Sequence, residues 1–445
     1  MILHKPLQNA LSLVIFMALT PAHASVDNLP DLGAPDLVTY DQQTEEKLGY
    51  AFSTALHQNF TLNYDPEVVS YIRKIGHQIA SQTGNHRNFQ FYVVQNDSIN
   101  AFAGPNGIIG IHTGLIQAVK SEDELASVIA HEIAHVTQNH LSRRYEYNAT
   151  EGTATSIATF IAALLIGMHD TNAGMATLMG GMGLNLEKQL KNSRQHESEA
   201  DAIGITLLHK TGYDPHAMSQ FFAKLSQESR NNTFSLPEIL RSHPVSDHRL
   251  AEAENRAENL SERPDRKKTD HLALIKARLI PPKEALFEAH LTDNILCYQK
   301  TLRALSKANV DYALIENNCL YNIVTEHPEH PLYSLLFIEQ NAKTRINIPQ
   351  ALNIAEYQQA LHPTDMATLM RHADLLLSQN TPLLAASLIE TYASQLPYQY
   401  LPYKKLAETY QSLHRLPDAY FARAIAAFSI GNHARAEYLL SQAEK

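Results

Sequence analysis

Ser121-Glu122-Asp123-Glu124-Leu125-Ala126-Ser127-Val128-Ile129-Ala130-His131-Glu132-Ile133-Ala134-His135 is the stretch from which the rest of the chain can be read. Ser121 and Glu124 form the S-x-x-E signature of a helix start, and Glu122 and Asp123 suit the positive end of the helix dipole. Leu125, Val128, Ile129 and Val136 make one side of this helix apolar, which predicts that it is buried. Residues i and i+4 of a helix lie about 40° apart, so His131 and His135 project from one face and can share a metal. Glu132 falls beside the open coordination position, where it can take a proton from water. Two imidazoles and a carboxylate on a buried helix need such a partner. The plain alternative is a pair of hydrogen-bonded core histidines.

A catalytic zinc site takes three protein ligands and keeps one position open. If the helix continues, His140 lies about half a turn round from His131 and points away from the metal. Leu141 stands where the long form of this motif would carry a third His. The other source is a carboxylate from a second helix, expected over 184–211 and ended by Gly212, with Pro215 beyond it. That helix carries Gln195-His196-Glu197-Ser198-Glu199-Ala200-Asp201. Glu197 and Asp201 share a face, so one can ligate while the other accepts the spare ring N–H of a ligand histidine. Glu199 points elsewhere and is expected to be solvated or ion-paired.

The rest of the chain supplies the setting. It has 445 residues, a formal charge of −10, 17 Gly and no Trp, which fits a largely helical globular protein of several domains. No basic run appears, which argues against a nucleic-acid partner. Lys5, the apolar run Ala10 to Leu19 and Ala22-His23-Ala24 describe a secretory signal peptide, residues 1–24, cleaved after Ala24. Residues 25–40 read as an extended lead-in, and 41–260 as a domain mixing helices with short strands. Asp65-Pro66 opens a helix to about Ala80, and Phe89–Val94, Ile99–Ala103 and Ile108–His112 are strands. Residues 153–183 contain an apolar run, Ile157 to Met168, too short to span a bilayer; it reads as a lid with Gly174, Gly180, Gly181 and Gly183 as its flexible points, or as a helix touching a membrane peripherally. Charge and Pro264, Pro281 and Pro282 predict a linker at 261–282.

Residues 283–445 change to short amphipathic helices. Runs starting near Leu332, Met366 and Leu401 are spaced 34 and 35 residues apart, and this resembles tetratricopeptide repeats, helix pairs that stack into a solenoid with a concave binding face. An exported chain works in an oxidising compartment. Cys297 and Cys319 are equidistant from a turn near Ala308-Asn309, so a helical hairpin sets them level and able to pair.

H-E-x-x-H at 131–135, followed about 60 residues later by E-x-E-A-D at 197–201 and preceded by Asn100-Ala101-Phe102-Ala103 and Gly107, resembles the HtpX-type and CAAX-prenyl-protease zinc metallopeptidases. The signal peptide, the lack of membrane spans and the repeats resemble the periplasmic branch of that family. The resemblance implies a mainly α protein: a zincin-like α+β metallopeptidase domain with a small sheet, then an α-solenoid. It implies one Zn2+ per chain held by His131, His135 and Glu197, with Glu132 as general base and Asp201 orienting a ligand. The Asn100–Ala103 strand would edge the substrate cleft, pairing with an extended chain. Arg241-Ser242-His243-Pro244 resembles a Ser/Thr-His-Pro loop of the periplasmic branch. Pro244 keeps His243 out of helical geometry, so its ring can swing to zinc and gate the enzyme, or donate to the oxyanion of the reaction, a role also open to Arg249. The implied substrates are unfolded or misassembled envelope proteins, with the repeats contacting the outer-membrane assembly machinery. A different class of function is a periplasmic chaperone or scaffold in which zinc is structural and the repeats do the binding.

Overall fold

The computed structural model describes residues 41–84, 87–143, 160–166, 186–231, 237–260, 266–267, 269–280, 292–306, 319–396 and 399–444. Asp41 caps α1 (Gln42–Asn59) by accepting from the Thr44 amide. Asp65 caps α2 (Pro66–Ala80) through the Glu67 and Val68 amides, and Pro66 takes the first helical position, where its missing N–H costs nothing. The three expected strands form with slightly shorter ends: β1 (Gln90–Val94), β2 (Ala101–Ala103) and β3 (Ile108–His112). They make one sheet in the order β1-β3-β2, with β1 parallel and β2 antiparallel to β3. Phe102 lies opposite Gly110; a Cβ on Gly110 would come within 2.0 Å of the Phe102 ring, so glycine is what lets the edge strand lie flat.

Helix α3 (Thr113–Ala118) leads to α4 (Glu122–Thr137). Ser121 Oγ accepts from the Glu124 amide at 3.1 Å, and the Glu124 carboxylate accepts from the Lys120 amide at 2.7 Å, so the reciprocal half of the cap falls one residue earlier than the motif suggests. Helices α5 (Leu186–Lys210), α6 (His216–Asn231), α7 (Glu238–Ser242) and α8 (Asp247–Glu258) complete this region. Gly212 sits at φ 78 just after α5, the left-handed residue expected at a helix end. Of residues 153–183, the stretch 160–166 is described: it is helical, and Phe160, Ile161 and Ala163 are buried in a cluster with Leu48, Phe52 and Leu56. The four glycines named above, the lead-in and the signal segment lie outside the described residues. No helix among the described residues is long and apolar enough to cross a membrane.

The expected linker is corrected in its middle. His271–Leu279 forms α9, and Leu272, Leu274, Ile275 and Ala277 are buried. The prolines at 264, 281 and 282 bracket a packed helix whose apolar face is hidden, in a composition count, by its charged neighbours. Helices α10 (Asp293–Ser306) and α11 (Cys319–Glu326) follow, joined by a Cys297–Cys319 disulfide with Cα atoms 6.1 Å apart. Residues 307–318, where the turn was expected, lie outside the described residues. Next come α12 (Pro331–Thr344), α13 (Ile348–Leu361), α14 (Met366–Ser378), α15 (Pro382–Gln395), α16 (Tyr400–Ser412), α17 (Leu416–Ser429) and α18 (His433–Ala443). Each packs on the next, while α12 also meets α14 and α14 meets α16. That stacking is what a helical repeat region requires.

The repeats are joined to the first region by buried charge. Arg278 of α9 reaches Asp65, Glu67 and Glu339 at 2.9, 3.2 and 3.1 Å. Arg371 of α14 reaches Glu67 and Glu339 at 2.6 and 3.1 Å. Burial is largely complete, with the Glu67 side chain at 0% exposure and Arg278 at 3%.

Candidate metal centre

Helices α4 and α5 approach closely at Gly204, where a Cβ would lie 3.3 Å from the His131 backbone nitrogen. This contact brings the carboxylates of α5 against the imidazoles of α4. His131 Nε2 is 3.0 Å from His135 Nε2 and 3.4 Å from Glu197 Oε2, and His135 Nε2 is 3.5 Å from Glu197 Oε1. His243, at the C-terminal end of α7 with φ −126 and ψ 78, brings Nδ1 to 3.1 Å from Glu197 and 3.3 Å from His131. The donor atoms of His131, His135, Glu197 and His243 all lie within 4.8 Å of one another.

The donor set fits a metal cation. Three imidazole nitrogens and one carboxylate converge in a buried space, where each would otherwise lose hydration without compensation. Burial pushes the His131 imidazole down, but hydrogen bonds to Asp201 and Glu197 outweigh it and lift it to about 10. Burial raises Glu197 too, yet His243 and His135 hold it well below the carboxylate range. Glu132 stands apart. Its side chain is 1% exposed, and burial pushes its carboxyl up against the lowering effect of His243, His131 and the Ala103 backbone amide. Its nearest neighbour in the group is His243 Nε2 at 3.5 Å.

Around this group sit the orienting contacts. Asp201 Oδ1 lies 3.0 Å from His131 Nδ1, the second-layer contact expected of it. Arg249 donates to both Asp201 oxygens at 2.7 and 2.8 Å and to the Pro244 carbonyl at 2.6 Å, and lies 3.2 Å from Glu197. The guanidinium is thus engaged behind the carboxylates, in the layer around the candidate ligands. Asn100 is buried and its side chain accepts from the Ala101 amide at 3.0 Å. Ala101, Phe102 and Ala103 form the edge strand β2, against which α4 packs. The backbone carbonyl of Ile99, just before it, accepts from the Ile239 amide at 3.0 Å, so the segment bearing His243 is tied to that edge.

His140 is the residue that sequence reasoning misplaced. Helix α4 ends at Thr137 and Asn139 turns left-handed at φ 56, so the ring comes back toward the site instead of pointing away. Its Nδ1 is 2.8 Å from His135 Nδ1 and its Nε2 is 3.0 Å from Glu199, which Arg143 also meets at 3.2 Å. Glu199 is therefore ion-paired, one of its two expected states. The signal was Asn139 itself, a residue that tolerates the left-handed conformation and ends helices.

A helix presenting two histidines and a glutamate, faced by a second helix presenting a carboxylate ligand, defines a metallopeptidase-type centre. The family model described as peptidase family M48 matches residues 66–257. A Vibrio cholerae protein given provisionally the name beta-barrel assembly-enhancing protease is 33% identical over 346 residues, covering 74% of this chain and 70% of its own length. The chain belongs to peptidase family M48, whose members are metal-dependent. A beta-barrel assembly-enhancing protease of Yersinia pestis is 36% identical over 247 residues, 55% of this chain and 50% of the relative. The mitochondrial metalloendopeptidase OMA1 of Schizosaccharomyces pombe is 27% identical over 192 residues, 43% of this chain and 53% of the relative. The chain thus spans about half the length of several relatives it matches.

Proposed function

We propose that this chain is an exported zinc endopeptidase of the bacterial envelope that acts on unfolded or misassembled envelope proteins and assists outer-membrane protein assembly. The observation that carries the chemistry is the convergence of His131, His135, Glu197 and His243 beside a buried Glu132. In this reading His131, His135 and Glu197 hold the ion. Zinc, when bound, acidifies water and polarises the substrate carbonyl. Glu132 takes the proton from the attacking water and returns it to the leaving amine. Asp201 orients His131, and Arg249 fixes Asp201 and Glu197. His140 positions His135 from the other side. A substrate strand lies along Asn100–Ala103, adding to the sheet edge through its backbone. The periplasmic location rests on the signal-like segment 1–24 and on the names of the relatives. The client-binding role of the repeats, and any contact with assembly machinery, rests on their solenoid form.

With zinc bound, His243 would be placed to serve as a fourth ligand, giving the closed form typical of structural zinc. We read it as a gate that must move aside, with the substrate edge freed at Ile239 in the same motion. The competing reading, a chaperone or scaffold with structural zinc, draws on the same four-ligand arrangement. Glu132→Gln separates them: zinc is retained and casein hydrolysis is lost if the site is catalytic, and rescue of envelope defects by that variant at the native level favours the scaffold. Glu197→Gln is expected to lose zinc. His243→Ala is expected to keep it and raise proteolysis; loss of activity with zinc bound would make His243 a transition-state donor.

A further inference from the structure

A second gathering of metal-binding side chains lies away from this centre, where the first region meets the repeats. Asp270 precedes α9, His271 is its first residue, and His330 directly precedes α12. Donor atoms from the three lie within 4.8 Å of one another. Asp270 Oδ1 is 2.9 Å from His330 Nε2, and the Tyr333 hydroxyl donates to Asp270 Oδ2 at 2.6 Å. The His271 and His330 rings meet edge to face with centroids 4.9 Å apart.

A plain hydrogen-bonded cluster accounts for Asp270 and for one nitrogen of His330. It does not account for a second imidazole set against the first, with a ring nitrogen gathered among the same donor atoms. We propose that Asp270, His271 and His330 form a second site for a zinc-like divalent metal, joining the first repeat helix to α9. Two imidazoles and a carboxylate are a donor set suited to zinc, whereas calcium and magnesium ask for more oxygens. Tyr333 holds the second carboxylate oxygen and so orients the ligand. Three protein ligands leave a further coordination position for water or a fourth donor.

The test uses the full-length chain carrying Glu132→Gln, stripped of metal and titrated with Zn2+, with stoichiometry read by native mass spectrometry. Two zinc ions per chain are expected. Adding His131→Ala and His135→Ala should leave one, and in that background Zn2+ should still raise the melting temperature. His271→Gln with His330→Gln should leave the other and abolish the second rise. Asp270→Asn keeps the shape and should weaken the second site about tenfold or more, which covers the case in which the histidine variants fold poorly. A chain that binds one ion in the reference form and none once His131 and His135 are replaced overturns the proposal, as does unchanged second-site affinity in Asp270→Asn.

Discussion

Replacing Arg371 by Met probes whether the repeats are held to the first region by the buried charge cluster. Arg371 gives Glu67 two hydrogen bonds, at 2.6 and 2.8 Å, and lies 3.1 Å from Glu339. Three carboxylates (Asp65, Glu67 and Glu339) face two guanidiniums, with Lys343 also 3.0 Å from Glu339, so losing Arg371 removes one of the positive charges that hold them together. Glu67 would keep only Arg278, at 3.2 Å, with no water to replace what was removed. Breaking a buried ion pair from one side costs about 3–5 kcal/mol. Because burial already pushes the Glu67 carboxyl up, uptake of a proton is open to it and sets the expectation at the lower end, about 3 kcal/mol. Urea unfolding followed by circular dichroism measures the loss, and hydrogen exchange should show faster exchange in α2 and α14 before other elements. Arg371→Lys, which keeps the charge without the fork, should recover only part. The exposed Arg415–Asp418 pair is the control: Arg415→Met should cost no more than about 1 kcal/mol. An Arg371→Met loss no larger than that of the control, with unchanged exchange in α2 and α14, would refute the reasoning.

Glu339 gives the pH dependence of the same junction. Burial raises its carboxyl, but Arg371 and Arg278 bring it down to about 2, below the value of roughly 4.3 for an unfolded chain. Its contribution is therefore present above that unfolded value and lost as pH falls toward the folded one; the stability gap between native and Glu339→Gln protein should close over that interval, and a gap unchanged at pH 2 contradicts it. The disulfide closes a separation of 22 residues, so Cys297→Ser should lower stability by roughly 3 kcal/mol; alkylation of unreduced, denatured native protein should label neither cysteine. Gly76→Ala should destabilise, because its Cβ would lie 2.3 Å from the buried Phe91 ring, an overpacking cost of about 1–3 kcal/mol that exceeds the helix-propensity gain of about 1; a higher melting temperature in that variant would show that Phe91 can yield.

The sequence by itself determined the elements whose cause is local. The Ser121 cap, the i, i+4 spacing of His131 and His135, the shared face of Glu197 and Asp201, and the 34- and 35-residue spacing of the repeat helices are all short-range facts, and a short-range period carries them. The pairing of α4 with α5 is not a short-range fact, and it was legible through the resemblance of the two motifs at 131–135 and 197–201 to a known family. Tertiary structure decided what depends on direction after a break in the chain. One left-handed residue, Asn139, turned His140 from a bystander into the partner of His135. Which carboxylates Arg249 would back was decided by the fold, which set it against Asp201 and Glu197. The stretch that composition marked as a linker became α9, because Leu274 and Ile275 found a core and Arg278 found three carboxylates. Those carboxylates come from residues 65 and 67 and from residue 339, far from them in the chain, and no pattern in the sequence announces that they meet; burial makes the meeting strong, and only the fold decides which charges are buried together.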